Sequence, residues 1–360
     1  MTASLPLVVG LPGLEITETE RETLDQVKPA GIILFARNIE SPDQVRELVH
    51  SVRDMDPRPF ICVDLEGGLV NRLTSLWGAL PSPSEAAAAG MKGIQALGDA
   101  TGAACRALGI HLDFAPVVDL ERPDGLIALQ GRTLSTSAER SATLARAFCE
   151  KMDTWAVSGC IKHFPGLGAV KIDTHEALPT LDHRIEDLDE HIGVFAALSS
   201  DIPIVMVGHV VVPVLGESDS PASLSRHIVQ LAIDLPGKPV VLSDDLEMGA
   251  LEGLGSLPEL VTAALRAQNH GALVCQAFDQ LEEIADHLRR EANEDPIFAD
   301  ILNEGRSRLG TLSRDLCLQA AAVPAPDDET VAQLWEKARK AVRTSNAQRS
   351  TPNIERDTVG

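Results

Sequence analysis

Fourteen residues from Lys162 to His175 read KHFPGLGAVKIDTH, placing two lysines, two histidines and an aspartate around Pro165, Gly166 and Gly168. A short apolar run precedes them, so Lys162 and His163 fall at a strand end. The proline and glycines break regular structure, which puts Asp173 and His175 on a loop able to swing. A strand end followed by a mobile loop is a way to present catalytic groups. Which chemistry they perform depends on what faces them.

Those groups need a scaffold, and the chain supplies short apolar, β-branched runs separated by stretches of helical periodicity. Eight such runs are legible: Leu7–Gly10, Gly31–Phe35, Ile61–Leu65, His111–Val117, Cys160–Phe164, Ile204–Val210, Pro239–Ser243 and Ala272–Gln276. Helices are expected over Pro42–Met55 with Ser41 as N-cap, Ser137–Ala156, Leu257–Gln268 and Gln280–Glu291. Eight strand-helix units fit an α/β fold of the (β/α)8 barrel type. A doubly wound dinucleotide-binding sheet would want G-x-G-x-x-G after the first strand, and the chain reads GLPGLE there.

The barrel predicts active-site groups at the C-terminal ends of its strands. Asp64, Glu66 and Arg72 come late in or after the third run. Asp113 lies in the fourth and Asp119 and Arg132 follow it, Lys162 and His163 lie in the fifth, His209 late in the sixth, and Asp244 and Asp245 after the seventh. The first, second and eighth runs are chemically sparse, although Arg37 and Asn38 follow the second.

Composition limits the partners. The chain has 360 residues, 44% of them hydrophobic, enough for a sizeable core. A net charge of −22 repels nucleic-acid phosphates, and no basic, aromatic-interleaved stretch offsets it. The N-terminus lacks a basic region before its apolar stretch, and no run approaches the roughly 18 apolar residues of a membrane span. A cytoplasmic location, no membrane or nucleic-acid partner and a monomer are therefore expected. The six cysteines form no C-x-x-C pair, which argues against a zinc knuckle or disulfide scaffold, and Cys62, Cys160 and Cys275 should pack as small apolar residues. We expect one catalytic barrel over 1–318, then a C-terminal segment, 319–360, made of a short helix (Glu329–Val342) and a mobile polar tail.

Two hydrolytic sites can be built from Asp, His and Lys at barrel strand ends. A metal-dependent amidohydrolase would want a His-x-His pair at the first strand, which ends GLPG, so no metal is expected. Glycosyl transfer through a covalent intermediate needs an ionised carboxylate below the sugar and a proton donor beside the leaving oxygen. VVLSDDLEMGA offers the first and the D-T-H of the loop the second.

With GIILFARNI, VDLEGGLVNRL, LDFAPVVDL, GRTLS, KHFPG, MVGHV, PASLS and SDDLEM in this order, nearly the whole chain resembles the short bacterial β-N-acetylglucosaminidases of glycoside hydrolase family 3. The resemblance implies a (β/α)8 barrel, a retaining mechanism, no cofactor and a small saccharide substrate, with muropeptides of peptidoglycan recycling as its source. It assigns Asp244 as nucleophile, His175 as acid/base with Asp173 assisting, and Asp64, Arg72, Arg132, Lys162 and His163 as substrate contacts. The acid/base role suits an imidazole, which exchanges protons around neutrality and whose tautomer a neighbouring carboxylate fixes. Asp245 is expected to be structural, Glu66 to shape the turn, Asp113 and Asp119 to cap loops, and His209 to line either pocket or core.

Four positions depart from the family pattern: Leu65 for glutamine, Leu69 for arginine, Leu167 for histidine and Glu247 for serine. None removes a residue assigned to bond making. They leave open a shifted specificity, and two alternatives stand beside the hydrolase: a β-glucosidase or phosphorylase on the same scaffold, and a catalytically silent saccharide-binding protein.

Overall fold

The computed structural model describes residues 4–181 and 184–349. Its strands are β1 (Leu5–Gly10), β2 (Pro29–Leu34), β3 (Phe60–Val63), β4 (Leu112–Asp113), β5 (Ser158–Gly159), β6 (Ile161–Phe164), β7 (Ile204–Val207), β8 (Val240–Asp245) and β9 (Gly271–Val274). They pair in parallel in the order β5-β4-β3-β2-β1-β9-β8-β7-β6. The two ends of that order are halves of one stretch interrupted at Cys160. On one side Asp113 pairs with Gly159, and on the other Phe164 pairs with Val207. Nine segments thus form eight staves that close on themselves, as the sequence pattern predicts.

Each of the eight predicted runs overlaps a stave, with altered ends. The fourth pairs as a ladder only over two residues, Leu112 and Asp113. Period-two alternation separates two cores. Val8, Ile33, Cys62, Met206 and Leu273 fill the barrel interior, whereas Leu7, Val9, Ile32, Ile61 and Val63 face the surrounding helices. Cys62, Cys160 and Cys275 are free and buried in that interior, packing as compact apolar residues.

The principal helices are α1 (Glu18–Val27), α2 (Pro42–Arg53), α3 (Met91–Leu108), α4 (Ala138–Asp153), α5 (Ile185–Leu198), α6 (Arg226–Ile233), α7 (Leu257–Arg266), α8 (Leu281–Glu294), α9 (Pro296–Ala322) and α10 (Asp328–Arg349). Ser41 caps α2 by accepting from the Gln44 N–H, and Ser137 caps α4 through Arg140. Leu309 and Leu316 of α9 join the barrel-interior cluster, so this helix seals the N-terminal mouth. It runs unbroken through Leu318. Helix α10 exceeds the predicted Glu329–Val342 at its C-terminal end, and Trp335 anchors it by packing on Trp77 with ring centroids 5.6 Å apart. The expected mobile tail beyond Arg349 lies outside the described residues. Among the described residues no helix is long and apolar enough to cross a membrane.

Candidate active site

Stave β3 runs into a hairpin in which Leu65 pairs with Asn71 and Gly67 with Val70. Gly67 has φ +95°, and a Cβ there would stand 2.3 Å from the Pro81 carbonyl oxygen, so the turn requires glycine. Asp64 and Glu66, two apart on extended backbone, reach the same partner: Lys162 Nζ lies 2.7 Å from Asp64 Oδ1 and 2.8 Å from Glu66 Oε1. Arg132 grips Glu66 with a two-pronged contact, Nε and Nη2 each at 2.8 Å. Arg72 stands 4.0 Å from Asp64 with its guanidinium over the Phe35 ring.

Burial opposes the charge on Glu66, but the Arg132 and Lys162 cations outweigh it and hold the carboxyl well below the usual range. Burial likewise works against the Lys162 ammonium, which Asp64 and Glu66 hold charged. The four groups form one mutually neutralising network. The expected contacts Asp64, Arg132 and Lys162 are thus brought together, and Glu66, read from sequence as a turn residue, joins them.

Asp119 organises the neighbouring stave. Its Oδ2 accepts from His163 Nδ1 at 2.8 Å, and its Oδ1 accepts from the backbone N–H of Leu167 at 2.7 Å. One buried carboxylate therefore fixes the His163 tautomer, leaving Nε2 as the other ring position, and pins the start of the loop that carries Asp173. Leu167 is buried at 2% exposure and packs in the core, so its departure from a polar residue adds apolar anchoring at that point.

At the end of β8, Asp244 is held ionised: burial raises its pKa, but His163, His209 and Lys162 lower it further than burial raises it. His209, fully buried, donates from Nε2 to the Asp245 carbonyl at 2.8 Å and accepts at Nδ1 from the Ser223 hydroxyl at 2.6 Å. Burial lowers the pKa of its imidazole. Asp245 differs from its neighbour, being pushed up to about 7 by burial and then by Glu247. Adjacent carboxyls with opposite shifts are a recurrent mark of functional sites.

The Asp173 carboxylate accepts from the backbone N–H of His175 at 2.9 Å and from its Nδ1 at 2.8 Å. The ring remains exposed, with 72% of its side chain accessible. The loop is tied on two sides, by the Leu126 N–H to the Val170 carbonyl (2.7 Å) and by the Ala250 N–H to the Thr174 carbonyl (2.9 Å). Glu247, another departure, accepts from the backbone N–H groups of Gln276 and Ala277 at 2.6 and 2.7 Å. It fastens the β8 loop to the β9 loop. Leu69 points to solvent at 74% exposure.

Three organising residues were given other roles by the sequence: Glu66 as a turn residue, Asp119 as a loop cap and His209 as lining of pocket or core. The two-residue spacing of Asp64 and Glu66 was the only local signal. Among the described residues no three His, Cys, Asp or Glu side chains converge as a metal-ligand set.

A closed eight-stave barrel with buried, charge-paired carboxylates and cations at its C-terminal strand ends defines an enzyme of the (β/α)8 class. The model for the glycosyl hydrolase family 3 N-terminal domain matches residues 5–297, and the chain belongs to that family. It is 34% identical over 282 residues to a beta-hexosaminidase of Pseudomonas aeruginosa, covering 76% of this chain and 83% of the relative. A family 3 beta-N-acetylglucosaminidase from a Paenibacillus species superposes with a TM-score of 0.83 at 26% identity, over 94% of this chain and 67% of that one. A beta-N-acetylhexosaminidase from Beutenbergia cavernae gives 0.78 at 26% identity, over 86% and 96%.

Proposed function

We propose that this chain is a retaining exo-β-N-acetylglucosaminidase, in which Asp244 attacks the anomeric carbon while His175 protonates the leaving oxygen. His175 then takes a proton from water, and the hydroxide equivalent displaces Asp244 to free the sugar. The observation that carries this reading is a half-buried Asp244 held ionised at the end of β8, whose following turn is tied by backbone to the loop bearing an exposed imidazole hydrogen-bonded to Asp173. An anionic nucleophile and a group that can both give and take a proton near neutrality are the two parts the reaction needs.

In this reading Asp64, Arg72, Arg132, Lys162 and His163 hold the sugar hydroxyls and the acetamido group. The 34% identity to a beta-hexosaminidase across 83% of its length supports an N-acetylhexosamine in the pocket. Muropeptide fragments in the cytoplasm are the substrate source we propose, with water as acceptor.

The test is hydrolysis of an aryl β-N-acetylglucosaminide by wild type, Asp244→Ala and His175→Ala. Wild type should release the sugar with retained configuration, and Asp244→Ala should be inactive. Full activity of Asp244→Ala would overturn the assignment, as would binding of the sugar by a wild type that does not turn it over. Glycosyl phosphate among the products in phosphate buffer would replace water by phosphate as acceptor.

A further inference from the structure

At the end of the barrel opposite Asp244, a cavity of about 640 Å³ opens where α2, α3 and α9 end. Its lining includes Arg46, Arg53, Arg58 and Arg106. In a chain with 53 acidic and 31 basic residues, this grouping runs against composition. Arg46 is answered by Asp43 and Asp328. Arg106 gives its donors to the carbonyls of Ala320 and Val323, which are not charged partners. Among the described residues, no carboxylate lies within ion-pair distance of Arg53, Arg58 or Arg106.

His111 shows that the three converge. Its Nδ1 accepts from the Ile61 N–H at 3.0 Å, so the neutral ring carries its proton on Nε2. The ring is 4% exposed and forms part of the cavity wall. Burial, then Arg58, Arg106 and Arg53, hold its pKa down to about 4, and Arg53 acts the same way on Arg106. The helix ends answer part of this charge. Three C-termini carry about half a negative charge each, roughly 1.5 in sum against three guanidiniums. Glu47 also lines the cavity and two carboxylates answer Arg46, so the cavity as a whole carries little net charge; what it presents is three guanidiniums without a carboxylate partner beside an apolar wall that includes Val49, Leu108 and Ala321.

We propose that this cavity binds a small phosphorylated organic molecule, separately from the saccharide pocket. Arg53, Arg58 and Arg106 meet the phosphate oxygens, His111 Nε2 donates a neutral hydrogen bond, and the apolar wall covers the carbon skeleton. Guanidiniums suit this role because their planar donors match phosphate geometry. The volume lies within the range of small-molecule sites. Because the cavity is bounded by the ends of α2, α3 and α9, the bound molecule fastens the helix that seals the barrel to the wall beside it.

Thermal unfolding of the full chain, titrated with a hexose phosphate, pyrophosphate or inorganic phosphate against sodium chloride at matched ionic strength, tests the proposal. The hexose phosphate should raise Tm saturably, and more than inorganic phosphate does. Arg58→Gln and Arg53→Ala should each weaken that binding about tenfold or more, with hydrolysis of the aryl glycoside unchanged. In chloride alone either variant should melt no lower than wild type, since it relieves repulsion. Tm shifts no larger than those of chloride overturn the site, as do variants that respond to the hexose phosphate as wild type does.

Discussion

The backbone N–H of Ala250 donates to the carbonyl of Thr174 at 2.9 Å, fastening the loop that carries His175 to the turn six residues after Asp244. The segments that carry the proposed proton donor and nucleophile, 69 residues apart in sequence, are thus tied together through their backbones. Gly249 makes the approach possible, because a Cβ there would stand 2.3 Å from the His175 carbonyl oxygen.

Gly249→Ala should therefore displace the His175 loop without touching either side chain. We expect a loss of about tenfold to a hundredfold with alkyl leaving groups, which need protonation, and a much smaller loss with nitrophenyl ones. The ratio of kcat/KM for the two substrate types is the measurement. An unchanged ratio would show that the loop tolerates the shift.

His175→Ala should display the same leaving-group dependence more strongly. Its rate on alkyl glycosides should also stay below that of wild type from pH 5 to 9, since the proposed acid is gone. Rates measured from pH 5 to 9 on a matched pair of substrates check this.

Glu66→Gln removes the anion shared by Lys162 and Arg132 and leaves two buried cations with one fewer partner. A loss of about 3–5 kcal/mol is expected by analogy with broken buried ion pairs. Because the Glu66 carboxyl is held below the usual range, its contribution is present above the unfolded-state pKa of about 4 and fades as pH falls below that value. Urea unfolding of wild type and variant should differ most near neutrality and converge in acid.

Asp113 carries the opposite sign. Burial pushes its carboxyl up to about 8, one oxygen accepts from the Leu65 N–H at 2.8 Å, and the other has no partner among the described residues. The folded chain thus keeps a proton that the unfolded chain releases near pH 4, so the group costs stability as pH rises from about 4 to 8. Asp113→Asn keeps the acceptor and removes the titration. The stability of the variant relative to wild type should climb across that window, by at most about 1.4 kcal/mol per pH unit, and level off above it.

The staves were legible because strands buried on both faces read as short β-branched runs. The split of the fifth stave at Cys160 was not, since a residue that shifts register between two neighbours looks like any other apolar residue. Lys162 and His163 could be placed at a strand end from the Pro-Gly break that follows. Asp119 could not be matched to them: its partners His163 and Leu167 lie 44 and 48 residues away, and nothing local distinguishes it from a loop-capping aspartate. Glu66 was obscured by its glycine neighbours, whose turn-forming role is real but separate from the carboxylate's. His209 was undecidable because its function, holding the Asp245 carbonyl, depends on a strand neighbour 36 residues away.

The network of Asp64, Glu66, Lys162 and Arg132 has a consequence for how ligands arrive. Its charges cancel within a few ångströms, so a neutral sugar approaching it meets little long-range field, although the chain as a whole carries −22. KM for an uncharged glycoside should be nearly indifferent to added salt. A glycoside bearing several carboxylates must instead cross the repulsive atmosphere of the acidic exterior, and its capture should quicken as salt thins that atmosphere. Ionic strength then selects among substrates that the pocket itself treats alike.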